Sequence, residues 1–229
     1  MSAEYVIGYD PGGNGKHGVA ALRVEQRDGS WIPLDLTVAT ARYINDVVGW
    51  VVGTTSNGRI VAAGVDTLTE WNSGHSGFRP ADRWLTLAYP AMARSVVAPA
   101  SLYGSMVIGG AGSVLLLRER FQGDGTMLTE AHPKVCYYAL TGEKPKWRED
   151  REKMTGWLLR EFTVGSRDDI CVADDHRFDA ATAALAALRG LNGDWTLDLH
   201  ALPDTDQAAR IQFYGNTHYW WPHNPSRTP

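Results

Sequence analysis

The sequence predicts an α/β fold in which helices flank one mixed β-sheet, and three observations support this prediction. Apolar strand-like segments follow one another at the start of the chain, separated by turns that contain glycine. Later strand-like segments alternate with segments whose apolar residues have helical spacing, and an alanine-rich helix follows near residue 180. The first three strands should therefore pair antiparallel, whereas strands reached through helices should be parallel.

The composition indicates a folded domain. Hydrophobic residues form 44% and charged residues 21% of the 229 residues, which is typical of a chain with a packed core. We expect one domain over residues 1–192, with an aromatic and proline-rich C-terminal extension of the same domain over residues 193–229. The net charge of −4 provides no general attraction for nucleic acid, so such a partner requires a local patch or metal ions.

The sequence also bears on the location of the protein. The N-terminus has no basic segment followed by a long apolar one, and no apolar run reaches the roughly 18 residues of a membrane helix. The two cysteines, Cys136 and Cys171, form neither a CxxC unit nor a disulfide framework. We therefore expect a cytoplasmic protein with no membrane partner.

The predicted elements follow from apolar spacing and from turn residues. Apolar runs bounded by turn residues predict strands over residues 5–10, 18–25, 32–39, 60–66 and 127–132. Apolar residues at helical spacing predict helices over residues 41–55, 80–97, 109–120, 135–140, 148–162 and 178–191. Pro90 predicts a kink in the second of these helices. In the tail we expect one strand over residues 211–214 and otherwise irregular chain.

Aspartates stand at two predicted strand ends and in the first turns of the last helix. Asp10 follows the first strand and precedes glycines, Asp66 ends a later strand, and Asp179 lies in the alanine-rich helix. If that helix crosses the sheet beside the first strand, the carboxylates meet. Clustered carboxylates repel one another unless a cation neutralises them, and their oxygen atoms suit Mg²⁺ or Mn²⁺. Two such ions, roughly 4 Å apart, can activate a water and stabilise the leaving oxygen of a phosphodiester.

Structural explanations compete with this interpretation. Asp10 begins an Asp-Pro-Gly sequence, which is common turn chemistry. Asp174 or Asp175 can cap the start of the last helix, and we interpret Asp174 as the cap. Asp179 is harder to explain in this way, because an unpaired acid on the sheet-facing side of a helix is costly to bury. Asp175 and His176 lie four and three residues before Asp179, so each shares a helix face with it.

A further acid and a histidine fall in one short strand. Alternation places Glu130 and His132 on the same side of the strand at residues 127–132. His132 could orient a water or a phosphate, although a lone strand histidine is more often a structural hydrogen-bonding residue. Basic residues interleaved with tryptophans between positions 143 and 160 could grip a nucleic-acid backbone, but four acids in the same stretch favour a solvated helix face.

Motifs along most of the chain resemble a family of predicted ribonuclease-H-like nucleases, described as a bacterial and archaeal domain of unknown function. They occur in the family's order at residues 7–12, 64–66 with 77–83, 129–133, 139–142 and 174–180. The first, Ile-Gly-Tyr-Asp-Pro-Gly, also resembles the opening motif of RuvC-type Holliday-junction resolvases. The resemblance extends to about Leu191. It implies a ribonuclease-H-like fold and a metal-dependent nuclease that acts on DNA or RNA.

The resemblance and the aspartate pattern together suggest roles for individual residues. Asp10 would bridge two Mg²⁺ or Mn²⁺ ions, while Asp66 and Asp179 would each complete the ligands of one ion. Other residues would support these ligands, replace one of them, or hold the substrate. The expected supporting residues are Asp175, His176, Glu130 and His132, and those expected at a substrate phosphate are Arg79, Arg83 and Lys16.

Two other functions stay open on the sequence alone. An ATP-binding phosphotransferase of the actin-like superfamily also begins with a strand, Asp-x-Gly and a hairpin, and residues 107–112 resemble a second phosphate loop. Such proteins need two domains of this kind, which 229 residues scarcely provide. A non-catalytic scaffold of the same fold would bind a protein partner. Its aromatic tail, with Trp220 and Trp221, could dock on a neighbouring subunit such as a second copy in a homodimer.

Overall fold

Six strands form the main β-sheet of the protein. The computed structural model describes residues 2–12, 15–56, 58–72, 77–96, 110–112, 114–115, 119, 126–162, 172–203, 210–212, 215 and 217–223. The strands of the main sheet are β1 (Glu4–Pro11), β2 (His17–Arg27), β3 (Ser30–Ala41), β4 (Arg59–Val65), β6 (Met127–Glu130) and β9 (Thr217–His218). They lie side by side in the order β3-β2-β1-β4-β6-β9.

The pairing directions are those expected from the sequence. β1, β2 and β3 pair antiparallel through their short connections. β4 then adds parallel to β1, β6 parallel to β4, and β9 parallel to β6. The predicted α/β fold, a mixed sheet of three antiparallel N-terminal strands followed by parallel strands and flanked by helices, is confirmed.

Helices precede or follow most of these strands. They are α1 (Ile44–Thr55), α2 (Pro80–Ala88), α3 (Pro133–Thr141), α4 (Trp147–Phe162) and α5 (Asp175–Leu191), with 3₁₀ turns at Pro90–Ser95 and Leu199–Ala201. The predicted kink is confirmed, because α2 ends before Pro90 and the chain continues as a 3₁₀ turn. Half of the residues of the helix predicted at residues 109–120 lie outside the described residues. Within the described part of the chain, no helix is both long and apolar enough to cross a membrane.

The C-terminal tail is more regular than the sequence predicts. β5 (Glu70–Asn72) pairs with β8 (Arg210–Gln212), and β7 (Leu197–Asp198) pairs with β10 (Trp220–Trp221), while β9 joins the main sheet. The expected tail strand overlaps β8, but the expectation of irregular chain is wrong at β9 and β10. Strands of two residues have no visible periodicity. They are held here by tertiary contacts, since Tyr219 and Trp221 are buried.

Helices cover both faces of the main sheet. Val6 packs in the apolar cluster that contains the alanines of α5, whereas Ile7 packs in a second cluster with Val47 of α1. Successive residues of β1 therefore alternate between these two faces. Gly8 and Asp10 follow Val6 at intervals of two, so they lie on the α5 face.

Three glycines on adjacent strands allow the backbone of α5 to lie directly on the sheet. Cβ atoms added at Gly8, Gly64 and Gly18 would overlap the carbonyl oxygens of Ala180, Ala183 and His176, respectively. Gly8 and Gly64 are partners across β1 and β4, so the contact surface is continuous. The alanines of α5 are also buried and add little bulk. Small residues on both sides therefore set the distance between helix and sheet.

We predict that Gly64→Ala destabilises the protein by about 3 kcal/mol, because the added methyl group meets a backbone carbonyl that cannot rotate away. Gly49→Ala is the matched control, since Gly49 lies inside α1 and an added Cβ there has no neighbour within 4 Å. It should stabilise the protein by about 0.5–1 kcal/mol through helix propensity. Urea unfolding of both variants measures the difference, and equal stabilities would contradict the proposed close packing.

Candidate active site

Asp10 and Asp66 stand side by side at the carboxyl ends of neighbouring parallel strands. Tyr9 of β1 is in register with Val65 of β4, and the amide of Asp66 donates a hydrogen bond to the carbonyl oxygen of Tyr9 at 2.8 Å. Asp10 is only 4% exposed, while Asp66 is half-buried. These two acids therefore occupy the same edge of the sheet, on strands that are direct neighbours.

Asp179 approaches this edge from α5. Asp179 as a whole residue is 4% exposed, so it faces the protein interior rather than solvent. His176 shares its side of the helix, three residues earlier, and His176 Nδ1 donates a hydrogen bond to Asp10 Oδ2 at 2.7 Å. The start of α5 thus carries a histidine that contacts one strand-end acid and an aspartate that is buried one turn further on.

Asp174 fixes the start of α5. Its carboxylate accepts hydrogen bonds from the amide of Arg177 at 2.9 Å and from the hydroxyl of Thr40 at 2.6 Å. The interpretation of Asp174 as the helix cap is confirmed. Because Thr40 belongs to β3, the cap also ties the helix start to the sheet and fixes the position of the residues that follow.

Burial and mutual repulsion raise the pKa values of the aspartates. Desolvation, reinforced by Asp10 and Asp179, holds the pKa of Asp66 well above its ordinary value. Burial raises the pKa of Asp179 to about 7, although Lys134 opposes the shift. Burial likewise raises the pKa of Asp10, despite the hydrogen bond from His176. The acids therefore act on one another across a poorly solvated space in which added positive charge is favourable.

Two cationic groups already lie against these acids. Lys134 Nζ is 3.6 Å from Asp179 Oδ2, and this carboxylate raises the pKa of Lys134. The hydrogen bond to Asp10 raises the pKa of His176 and favours its charged form. Lys134 comes from the first turn of α3, directly after β6. The site is thus built from four elements, namely β1, β4, α3 and α5.

The carboxylate groups of this site are chemically suited to bind a hard divalent cation. Carboxylate oxygens are the ligands that Mg²⁺ and Mn²⁺ prefer. Among the described residues, however, no group of three or more His, Cys, Asp or Glu side chains is arranged to hold a metal ion. The ion pairs account for this arrangement, because Asp10 is directed toward His176 and Asp179 toward Lys134. Asp10 and Asp179 are therefore partly neutralised by the protein's own side chains.

Arg79 and Glu130 form a second, buried ion cluster next to this edge. Arg79 Nη1 and Nη2 donate to Glu130 Oε2 and Oε1 at 2.8 and 2.6 Å, and Nε and Nη2 donate to the two oxygens of Asp82. Burial alone would raise the pKa of Glu130, but Arg79 holds it well below its ordinary value. Arg79 is 2% exposed, so it has no surface on which to meet a substrate phosphate. This corrects the expected roles of Arg79 and Glu130.

The same cluster joins the C-terminal tail to the sheet. The amide of Thr69 donates to Glu130 Oε2 at 3.0 Å, and His200 Nε2 lies 3.4 Å from that oxygen and 3.7 Å from Glu70 Oε2. Gln212 Nε2 of β8 donates to Glu70 Oε1 at 2.9 Å. Glu130 is therefore a structural residue that connects β6 with β5 and with the tail.

The remaining predicted site residues lie in different surroundings. His132 Nε2 donates to the carbonyl oxygen of Ser95 at 2.9 Å, and burial lowers its pKa, as expected of a structural histidine. Asp175 is the half-buried first residue of α5, where its charge raises the pKa values of Asp10 and Asp179. Arg83 is half-buried on α2, and Lys16 is exposed before β2. Of the predicted set, the structure brings together the three aspartates, Asp175 and His176.

Few known proteins match this chain. No family model and no curated protein sequence matches the chain. The solved structures that match include RuvC from Thermus thermophilus, at 15% sequence identity and a TM-score of 0.43. The match covers 83% of this chain and 95% of the RuvC chain.

Sequence reasoning missed two residues beside the aspartates. Lys134 is the second residue of α3, so its position just after β6 placed it at the acidic edge of the sheet. His17 opens β2 opposite Pro11, where it stacks on Tyr9 and hydrogen-bonds with the Tyr9 hydroxyl at 2.8 Å. Burial lowers the pKa of His17, while Asp10 opposes the shift. Basic residues within two positions of a predicted strand boundary are the sequence signal that both share.

We predict that the metal-free protein loses stability as the pH rises through 7, because Asp179 titrates at about 7 in the folded protein and at an ordinary 3.8 when unfolded. The contribution of Asp179 to the free energy of unfolding is complete below its unfolded pKa and is lost above its folded pKa. The difference between the two is about 4 kcal/mol. Thermal unfolding in EDTA from pH 4 to 8 should show this loss reduced in Asp179→Asn. The exposed control Asp35→Asn should keep the wild-type profile, and identical profiles for all three proteins would contradict the prediction.

We predict that Arg79→Met destabilises the protein by about 3–5 kcal/mol, because it leaves Glu130 and Asp82 buried without their cation. Arg27→Met, which removes an exposed pair with Glu25, should leave stability unchanged within measurement error. Urea unfolding compares the two variants. A stable Arg79→Met protein with weakened nucleic-acid binding would instead restore Arg79 to a substrate role.

Proposed function

We propose that this protein is a divalent-metal-dependent nuclease that hydrolyses phosphodiester bonds of DNA or RNA. One observation carries the proposal: Asp10 of β1, Asp66 directly after β4 and Asp179 of α5 lie close enough that Asp10 and Asp179 raise the pKa of Asp66 and Asp10 raises that of Asp179. Carboxylates that repel one another in a poorly solvated space are strongly stabilised by a cation bound between them. The fold class and the sequence resemblance described above agree with this chemistry, and neither is needed to state it.

Asp10, Asp66 and Asp179 are the residues that would hold the metal. Their oxygens match the ligand preference of Mg²⁺ and Mn²⁺. A bound ion of this kind supplies a hydroxide nucleophile at neutral pH and offsets charge on a phosphate. Metal binding requires the carboxylates in their ionised form, which the neutral pH range allows for Asp179 despite its raised pKa.

The chain's own residues prepare the site for this role. His176 hydrogen-bonds to Asp10 and so fixes the orientation of its carboxylate. The N-cap by Asp174 and the close packing of α5 fix the distance of His176 and Asp179 from the strands. Asp66 and Asp175 are half-buried and Lys16 is exposed, so this edge is the side from which a substrate backbone can approach. Lys16 would then meet a phosphate, as the sequence suggests.

The rival functions make different predictions for binding. A non-catalytic scaffold gains nothing from a specific divalent cation at this edge. An actin-like phosphotransferase would bind ATP, and half of the segment at residues 107–112 that suggests it lies outside the described residues. Calorimetric titration with Mn²⁺ and thermal shift with ATP therefore separate the three possibilities.

We expect purified protein to cleave labelled DNA or RNA in the presence of Mg²⁺ or Mn²⁺ and not in EDTA. Asp10→Asn should lower the rate by at least about 100-fold, because it removes a charged ligand at the centre of the site. Asp35→Asn, on the exposed face of β3, should cleave at the wild-type rate. Metal-dependent cleavage that survives Asp10→Asn would reject this site, and specific ATP binding without cleavage would favour the phosphotransferase.

A further inference from the structure

Lys134 holds the position of a counter-ion at the candidate site. Its ammonium nitrogen is 3.6 Å from Asp179 Oδ2, while the Asp179 side chain is only 6% exposed. The Lys134 side chain itself is 50% exposed, so it reaches the buried acid from the surface. Its charge also lowers the pKa values of Asp10 and Asp66. One lysine thus acts on all three acids of the proposed metal site.

An ammonium group and a divalent cation compete for such a site. Like charges a few ångströms apart in a poorly solvated space repel strongly. The oxygen of Asp179 that pairs with Lys134 is one of the two oxygens through which this carboxylate would bind a metal ion. An ion bound by Asp179 therefore excludes the present ion pair.

The Lys134 side chain is able to move away from Asp179. Half of its side chain already contacts solvent, and a lysine has a flexible four-carbon stem. Its backbone is fixed in the first turn of α3 after Pro133, so only the side chain has to move. Asp179 cannot move in the same way, because it lies on the face of α5 that packs on the sheet.

We propose that Lys134 is a resident counter-ion that a divalent metal displaces from Asp179, so that metal binding to this protein is an exchange of cations. This proposal rests on the proposed function, since it concerns the same three carboxylates. Lys134 keeps the acids neutralised while no metal is bound and lowers the apparent metal affinity. It is a positioning residue, because it acts through Asp179.

The test is calorimetric titration of Mn²⁺ into the wild type, Lys134→Met, Lys134→Arg and Lys146→Met. Lys134→Met should bind Mn²⁺ about tenfold more tightly than the wild type, because the competing charge is gone. Lys134→Arg retains the charge and should remain near the wild-type affinity. Lys146 pairs with Glu149 at 3.3 Å on the exposed start of α4, so Lys146→Met is the control for loss of a lysine ion pair and should not change the affinity.

Thermal unfolding provides a second measurement. In EDTA, Lys134→Met should melt below the wild type, and saturating Mn²⁺ should raise its melting temperature by more than it raises that of the wild type. Equal or weaker Mn²⁺ affinity in Lys134→Met would overturn the exchange and leave the metal site standing. Absence of Mn²⁺ binding in every variant, including Lys134→Met, would overturn both the exchange and the proposed function.

Discussion

The direct packing of α5 on three neighbouring strands is the constraint on which the candidate site depends. Glycines at positions 8, 18 and 64 leave no side chain between the strands and the helix, so the helix backbone settles on the sheet. The first turns of α5 then lie over the ends of β1 and β4. Asp179 is buried there because it belongs to this contact face. A wider separation between helix and sheet would leave the same aspartates solvated and independent of one another.

The protein treats its two groups of buried acids differently. Glu130 and Asp82 are neutralised permanently by Arg79, which is bidentate toward Glu130 and completely enclosed. Such a cluster fixes structure, because neither partner can leave without stranding a buried charge. Two acids of the candidate site have more accessible partners, since Lys134 pairs with Asp179 and His176 with Asp10. A neutralising charge that can be exchanged suits a site that binds cations. A permanently buried one suits a contact that holds secondary-structure elements together.

The sequence was sufficient for the features that depend on local pattern. Strand ends at Asp10 and Asp66, the helix that carries Asp179 and the cap at Asp174 all follow from spacing and turn residues. The pairing of Arg79 with Glu130 was not predictable in this way, because the two are 51 residues apart and meet only when β5, α2 and β6 assemble. The short tail strands β9 and β10 were not predicted for the same reason. The partner of a charged residue is determined by tertiary structure, so the residue type alone does not reveal it.

In the proposed function, Asp10, Asp66 and Asp179 form one cation site. A crystal of the protein soaked in Mn²⁺ and measured at the manganese absorption edge would show whether they do. We expect an anomalous peak bounded by the carboxylates of Asp10, Asp66 and Asp179, with the Lys134 ammonium moved away from Asp179. A structure without density at this edge, or with Asp179 directed away from the two strand ends, would contradict it.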